Sequence, residues 1–141
     1  MEAFLHNKDW TELGRFPIIT ENDIVMVRQM ARQYAKNLTM GIVEQTRITT
    51  AVSELLRNMY QYAGGGEVII NTGDVNERKS LIITFNDKGP GIENLELAMS
   101  DGYTSGGGMG YGLPGAKRLV DSFEIHTKPN EGTSIRLMKW K

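Results

Sequence analysis

The chain has 141 residues, the span of one ordinary domain, and its 40 % hydrophobic and 23 % charged content is that of a globular protein with a single core. Its 16 basic and 17 acidic side chains leave a formal charge of -1, which argues against nucleic acid as a partner, because gripping phosphates calls for a basic excess. The absence of cysteine excludes disulfides, thiolate nucleophiles and cysteine-based metal sites.

The opening MEAFLHNKDW lacks a basic segment followed by an apolar stretch, so it does not read as a secretory signal. No apolar run of ~18 residues predicts a membrane span. The expected location is therefore the cytoplasm, with no membrane partner. Residues 1–14 are polar and aperiodic and are expected as a loose arm or edge segment. Residues 15–141 are expected as one domain.

Residues 15–20 (RFPIIT) read as a short strand, with Pro17 favouring a sheet edge. Thr20 followed by Asp23 predicts a capped helix start. Ile24, Val27, Met30, Ala31 and Tyr34 then mark an amphipathic helix. A turn over residues 38–41 leads into a longer helix over 42–62, with apolar positions at Ile48, Val52, Leu55, Met59 and Tyr62. Gly64, Gly65 and Gly66 end it.

Strands are expected over 67–72 and 80–85, joined by a polar connection over 73–79. A turn over 86–92, a short helix over 95–99 and a glycine-rich loop over 101–110 follow. Seven of the 16 glycines fall between Gly102 and Gly115. A third helix over 113–121 and strands over 122–127 and 133–140, joined by a turn at 129–132, complete the chain. The order predicts an α+β fold: a two-layer sandwich with a mixed, mostly antiparallel sheet and helices on one face.

Three stretches carry chemistry. On the long helix, Glu54 and Asn58 stand four apart and share a face. Arg47 and Gln61 lie seven residues either side of Glu54, about 20° around the axis. A carboxylate can accept a hydroxyl proton, and an asparagine carbonyl is a hard ligand suited to Mg²⁺. A solvated helix face accounts for the same spacing. The second stretch, NDKGPGI, places Asp87 at the end of an apolar strand, where it can accept a hydrogen bond from an exocyclic amine. Gly89 and Gly91 would let the backbone approach a flat ring, although an ordinary turn uses the same residues. The third, GGGMGYGL, opens into a helix, so its amides can form an anion nest reinforced by the helix terminus. There is no GxxxxGK[ST], and the glycine cluster does not follow a strand, which excludes a P-loop and a βαβ dinucleotide fingerprint.

Weaker signals surround these. Thr133 could reach a ligand from the sheet. Lys117 and Arg118 could meet phosphate. His6 and His126 have no metal-ligand spacing. Trp10 and Trp140 read as packing or interface residues.

The three stretches, in this order, resemble the motifs of the GHKL superfamily of ATPases and kinases, over roughly residues 15–140. Within it the chain resembles the small bacterial serine/threonine kinases of the anti-sigma-factor and switch-kinase type, on RITTAVSELLRNMYQYAG, NDKGPGI, DGYTSGGGMGYGLPGAKRLVDSFEI and EGTSIRLMKW. The resemblance implies a Bergerat-type fold that binds ATP and Mg²⁺. It also implies phosphorylation of a STAS-domain antagonist, with a PP2C-type phosphatase or a sigma factor as a further partner. It assigns Glu54 as general base and Asn58 as Mg²⁺ ligand. Asp87 would read the adenine amine with Thr133 assisting, and Gly89, Gly91 and Ile92 would shape the base pocket. Gly106, Gly107, Gly108, Met109, Gly110, Gly112 and Leu113 would wrap the phosphates. The related kinases that bind sigma factors often carry an arginine in this lid, whereas residues 105–112 hold no cation here. The resemblance extends to no phosphoacceptor-histidine helix. A two-layer sandwich also leaves one sheet face open, to be covered by a second copy of the chain, a phosphatase or an antagonist.

Overall fold

The computed structural model describes Phe4, residues 9–99 and residues 113–141. Five strands form one sheet: β1 Thr11–Ile18, β2 Gly66–Val75, β3 Arg78–Asp87, β4 Ser122–Lys128 and β5 Gly132–Trp140. Their spatial order is β1-β2-β3-β5-β4. Every pairing among the described residues is antiparallel, so the expected mixed sheet is antiparallel throughout. Among the described residues four helices accompany it: α1 Glu21–Asn37, α2 Ile42–Ala63, α3 Leu95–Ala98 and α4 Leu113–Arg118.

The core follows from alternation along the strands. Val68, Ile70, Leu81, Ile83, Phe85, Ile135 and Leu137 point to the helical layer. There they meet Val27, Ala31 and Ala35 of α1 and Ile48, Val52, Leu55, Leu56 and Met59 of α2. Each fully buried aliphatic side chain of this set contributes about 1.5–3 kcal/mol of burial energy. Small alanines on α1 and Ala51 on α2 let the two helices pack closely. Helix α2 stops where Gly64 turns left-handed (φ +75°), with Gly64 N donating to Tyr60 O and Gly65 N to Met59 O.

Two connections differ from expectation. The 73–79 connection is mostly strand: β2 and β3 run on to a two-residue turn at Asn76 and Glu77, both with positive φ. That is the tight-turn geometry whose twist matches paired strands. The last helix ends at Arg118, short of 121, because Asp121 is drawn to the sheet. Its amide donates to Met138 O at 2.9 Å, and its carboxylate accepts from Lys139 Nζ and Trp140 N, each at 2.9 Å.

The sheet face away from the helices is not bare. Thr11–Gly14, expected within a loose arm or edge segment, belong to edge strand β1 and pair with β2. Trp10 stacks beside Arg136, its ring 5.2 Å from the guanidinium carbon, and Phe4 lies at 4.5 Å from the same atom. The guanidinium Nε donates to Thr84 Oγ1 at 2.9 Å. Ile82 and Met138, on this second face, are buried although no helix covers them. Trp10 thus has the packing role its composition suggested. Pro17 sits on edge strand β1, where its missing N–H costs nothing.

Helix α1 begins as the capping pattern requires. Asp23 Oδ2 accepts from Thr20 N and Ile19 N, each at 2.8 Å. These two backbone bonds hold the Asp23 carboxyl below its ordinary value of 3.8. A carboxyl depressed in the folded state stabilises fully above 3.8, and that stability is lost as pH falls through the lower folded value. Asp23→Asn is therefore expected to lower Tm at neutral pH. The gap to the unmodified protein should close below about pH 3.8 in a pH series of thermal melts.

Candidate functional site

One pocket opens between α2, the end of β3, the start of β5 and α4. Leu55, Asn58, Met59, Tyr62 and Ala63 line it from α2. Phe85 and Asp87 come from β3, Pro90, Gly91 and Ile92 from the turn after it, Leu113 from α4, and Thr133 and Ile135 from β5. It is narrow, about 50 Å³, where sites that enclose a whole drug-sized ligand reach about 300 Å³ or more. Its lining is mostly apolar, with Asn58, Asp87 and Thr133 as polar groups.

The polar end of the pocket is fixed by main-chain bonds. Asp87 Oδ1 accepts from Gly89 N at 2.9 Å and from Thr133 N at 3.2 Å. Burial raises the Asp87 carboxyl above 3.8, and the two amides oppose that rise. Thr133 also touches Thr127, with 2.8 Å between their hydroxyls, and Thr127 Oγ1 accepts from Ile92 N at 2.9 Å. Asn130 N donates to Pro90 O at 2.7 Å. The turn after β3 is therefore stitched to the β4–β5 hairpin.

The glycines of this turn are required by the protein itself, before any ring arrives. A Cβ at Gly89 would stand 2.4 Å from Ala63 Cβ. Gly91 has φ +74°, and a Cβ there would stand 2.2 Å from Lys128 O. Their freedom brings the turn against α2 on one side and the hairpin on the other.

Asn58 carries the one orphan of the pocket among the described residues. Its Nδ2 is buried with no hydrogen-bond partner. Buried amides are nearly always satisfied, so an unpaired one in a pocket wall marks a place for a ligand. An asparagine amide also offers its carbonyl oxygen as a hard donor, and Mg²⁺ is commonly held by one or two protein oxygens plus substrate phosphates. The described residues contain no group of three or more His, Cys, Asp or Glu able to hold a metal ion. The orphaned Asn58 Nδ2 is a donor and calls for an acceptor on whatever fills the pocket.

Glu54 does not line this pocket. One turn before Asn58, it faces a separate polar cleft of about 500 Å³ between α1 and α2, with Arg28, Arg32, Thr49, Thr50, Ser53 and Arg57. Arg57 Nη1 donates to Glu54 Oε1 at 2.9 Å. The helix thus presents an amide to the pocket and a carboxylate to the neighbouring cleft.

Of the residues expected from sequence, Asn58, Asp87, Gly91, Ile92, Leu113 and Thr133 converge on the pocket, and Gly89 supports its turn. Gly106, Gly107, Gly108, Met109, Gly110 and Gly112 lie outside the described residues. Sequence reasoning missed Leu55, Met59, Tyr62, Phe85 and Ile135 as pocket walls. Leu55, Met59 and Tyr62 read simply as the apolar stripe of α2, and only their position at its last turns marks them. No helix among the described residues is long and apolar enough to cross a membrane.

Comparison with known proteins finds a family and several relatives. The profile of the family described as histidine kinase-, DNA gyrase B- and HSP90-like ATPase matches residues 43–141. The chain is 49 % identical over 123 residues to the serine/threonine-protein kinase RsbT of Bacillus subtilis (strain 168), covering 87 % of this chain and 92 % of that one. It is 37 % identical over 115 residues to an anti-sigma F factor of Clostridium perfringens (strain SM101 / Type A), covering 75 % and 79 %. In fold alone it matches a chain of the SiaB-SiaC complex from Pseudomonas aeruginosa, with TM-score 0.57, 13 % identity and coverage of 92 % and 91 %. The catalytic domain of histidine kinase ThkA gives TM-score 0.54 at 14 % identity, covering 92 % and 97 %.

Gly91→Ala is expected to cost roughly 1–3 kcal/mol, the scale of a residue forced into an unsuitable backbone region. Chemical denaturation checks it; an unchanged midpoint would show that the turn can relax.

Proposed function

This chain belongs to the histidine kinase-, DNA gyrase B- and HSP90-like ATPase family, and we infer that it is an ATP-dependent serine/threonine-protein kinase of a bacterial partner-switching system. The observation that carries the reading of the site is the convergence of Asn58, with its orphaned amide, and the amide-fixed Asp87 on one pocket. The pocket takes adenine, and the Asp87 carboxylate accepts a hydrogen bond from its exocyclic amine. Asn58 would hold Mg²⁺ through its carbonyl oxygen, and the ion would supply charge neutralisation at the phosphates. The phosphate-binding role is assigned, from the sequence resemblance alone, to Gly106, Gly107, Gly108, Met109, Gly110 and Gly112.

The acceptor hydroxyl approaches from the cleft between α1 and α2, where Glu54 lies. Its oxygen bonds to the terminal phosphorus as the bond to the bridging oxygen breaks. ADP leaves, and the hydroxyl proton passes to Glu54. Arg28 and Arg32 line the same cleft and suit an acidic segment beside the acceptor serine or threonine. The substrate is a STAS-domain antagonist, and the released kinase engages a PP2C-type phosphatase; both would be met in the cytoplasm. Likeness to anti-sigma F factors supports a second reading, nucleotide-gated sequestration of a sigma factor. Labelled ATP with a STAS-type partner, beside a nucleotide-dependent pull-down of sigma factor, separates the two.

Glu54→Gln should lower phosphate transfer by about 10²-fold or more while ATP binding is retained. Normal turnover by that variant would remove Glu54 from the chemistry. Ionised Asp87 is the stronger, acceptor-only partner for the amine, and its carboxyl is raised by burial. ATP affinity should therefore fall on acidification from a pH above that of an ordinary carboxylate, as read by calorimetry. In Asp87→Asn, affinity should be weak throughout and this pH dependence absent.

A further inference from the structure

Thr127 lies on β4 directly opposite Thr133 on β5, half-buried and outside the pocket lining. Its hydroxyl meets three groups: Ile92 N at 2.9 Å, Gly132 O at 3.2 Å and Thr133 Oγ1 at 2.8 Å. A threonine hydroxyl has one proton to give and two lone pairs to fill. Ile92 N–H occupies one lone pair. If the Thr127 proton goes to Gly132 O, the remaining lone pair takes the Thr133 proton, and all three capacities of Thr127 are used. The reverse arrangement, with Thr127 donating to Thr133, leaves Gly132 O without this donor and one Thr127 lone pair empty. Full satisfaction selects the first.

That choice decides what Thr133 shows the pocket. With its own proton committed to Thr127, Thr133 Oγ1 offers lone pairs only. Asp87, bonded to the Thr133 amide, is likewise an acceptor when ionised. The strand end of the pocket is then an acceptor-only wall. Adenine carries an amine donor at the exocyclic position where guanine carries an oxo acceptor.

We propose that Thr127 is a positioning residue for base selection: by holding the Thr133 hydroxyl proton and the Ile92 amide, it keeps this wall acceptor-only and so favours ATP over GTP. The proposal rests on the nucleotide reading of the pocket. Removing the Thr127 hydroxyl frees the Thr133 proton to turn toward the pocket, where it can meet a guanine oxo group.

Calorimetry with ATP and with GTP, in millimolar Mg²⁺, on the unmodified chain, Thr127→Val and Thr127→Ser tests it. Valine keeps the shape and the strand preference but not the hydroxyl. The preference for ATP over GTP should shrink about tenfold in Thr127→Val, the scale of one buried hydrogen bond. It should be retained in Thr127→Ser. Amide exchange at Ile92, followed by NMR without nucleotide, should quicken in the valine variant and not in the serine variant. A purely structural threonine would lower affinity for both nucleotides alike and leave the preference intact, which overturns the proposal. So does a serine variant that behaves like valine. Failure of the unmodified chain to bind either nucleotide overturns the pocket reading itself, a result distinct from ATP binding with an unaltered preference.

Discussion

The acceptor atom Asp87 Oδ1 joins parts of the chain that are far apart in sequence. It binds the amide of Gly89, two residues on, and the amide of Thr133, which is 46 residues away. The second bond joins those from Ile92 N to Thr127 and from Asn130 N to Pro90 O in tying the turn after β3 to the β4–β5 hairpin. With these bonds the turn becomes a wall, and the carboxylate is held in a fixed plane at the cost of partial desolvation. Burial raises the carboxyl while the two amides that shape the turn oppose that rise. Loops that carry function are usually positioned by a rigid scaffold, and here the scaffold is the central strand pair β3–β5.

Around this point, α2 divides its labour by helical periodicity. Leu55 and Met59 are core to the sheet and wall to the pocket at once. Asn58, on the adjoining stripe, looks into the pocket with an unsatisfied amide, and Glu54, one turn earlier, looks into the arginine-lined cleft. A rotation of about 100° per residue suffices to place apolar wall, amide and carboxylate on adjoining faces of one rigid element. Sites built on helices hold their geometry better than sites on loops.

Much of this was legible in the sequence. The 3.6-residue stripes of α1 and α2, the Thr20–Asp23 start and the Gly64 stop appear in the structure within a residue or so, because local rules alone decide them. Asp87, Gly91 and Asn58 were readable because their stretches, taken together and in order, resemble those of the GHKL superfamily; each alone has an ordinary explanation. What escaped has non-local causes. The Asn76–Glu77 turn depends on two residues accepting positive φ, and glutamate gives no hint of that. Thr127 looked like any strand former, and its importance comes from lying opposite Thr133 and below Ile92. The end of the last helix was set by Asp121 finding Met138 and Lys139 across the sheet.

The chain has two tryptophans. Each lies against an arginine on the sheet: Trp10 beside Arg136 at 5.2 Å, and Trp140 beside Arg78 at 5.9 Å. Neither touches the pocket. Tryptophan emission, excited apart from that of Tyr62 in the pocket wall, therefore monitors how the first and last strands are fastened and is blind to direct quenching by a base seated at Asp87. Any emission change on adding nucleotide would have to be relayed through the sheet, making the two indoles natural reporters of long-range mechanical coupling.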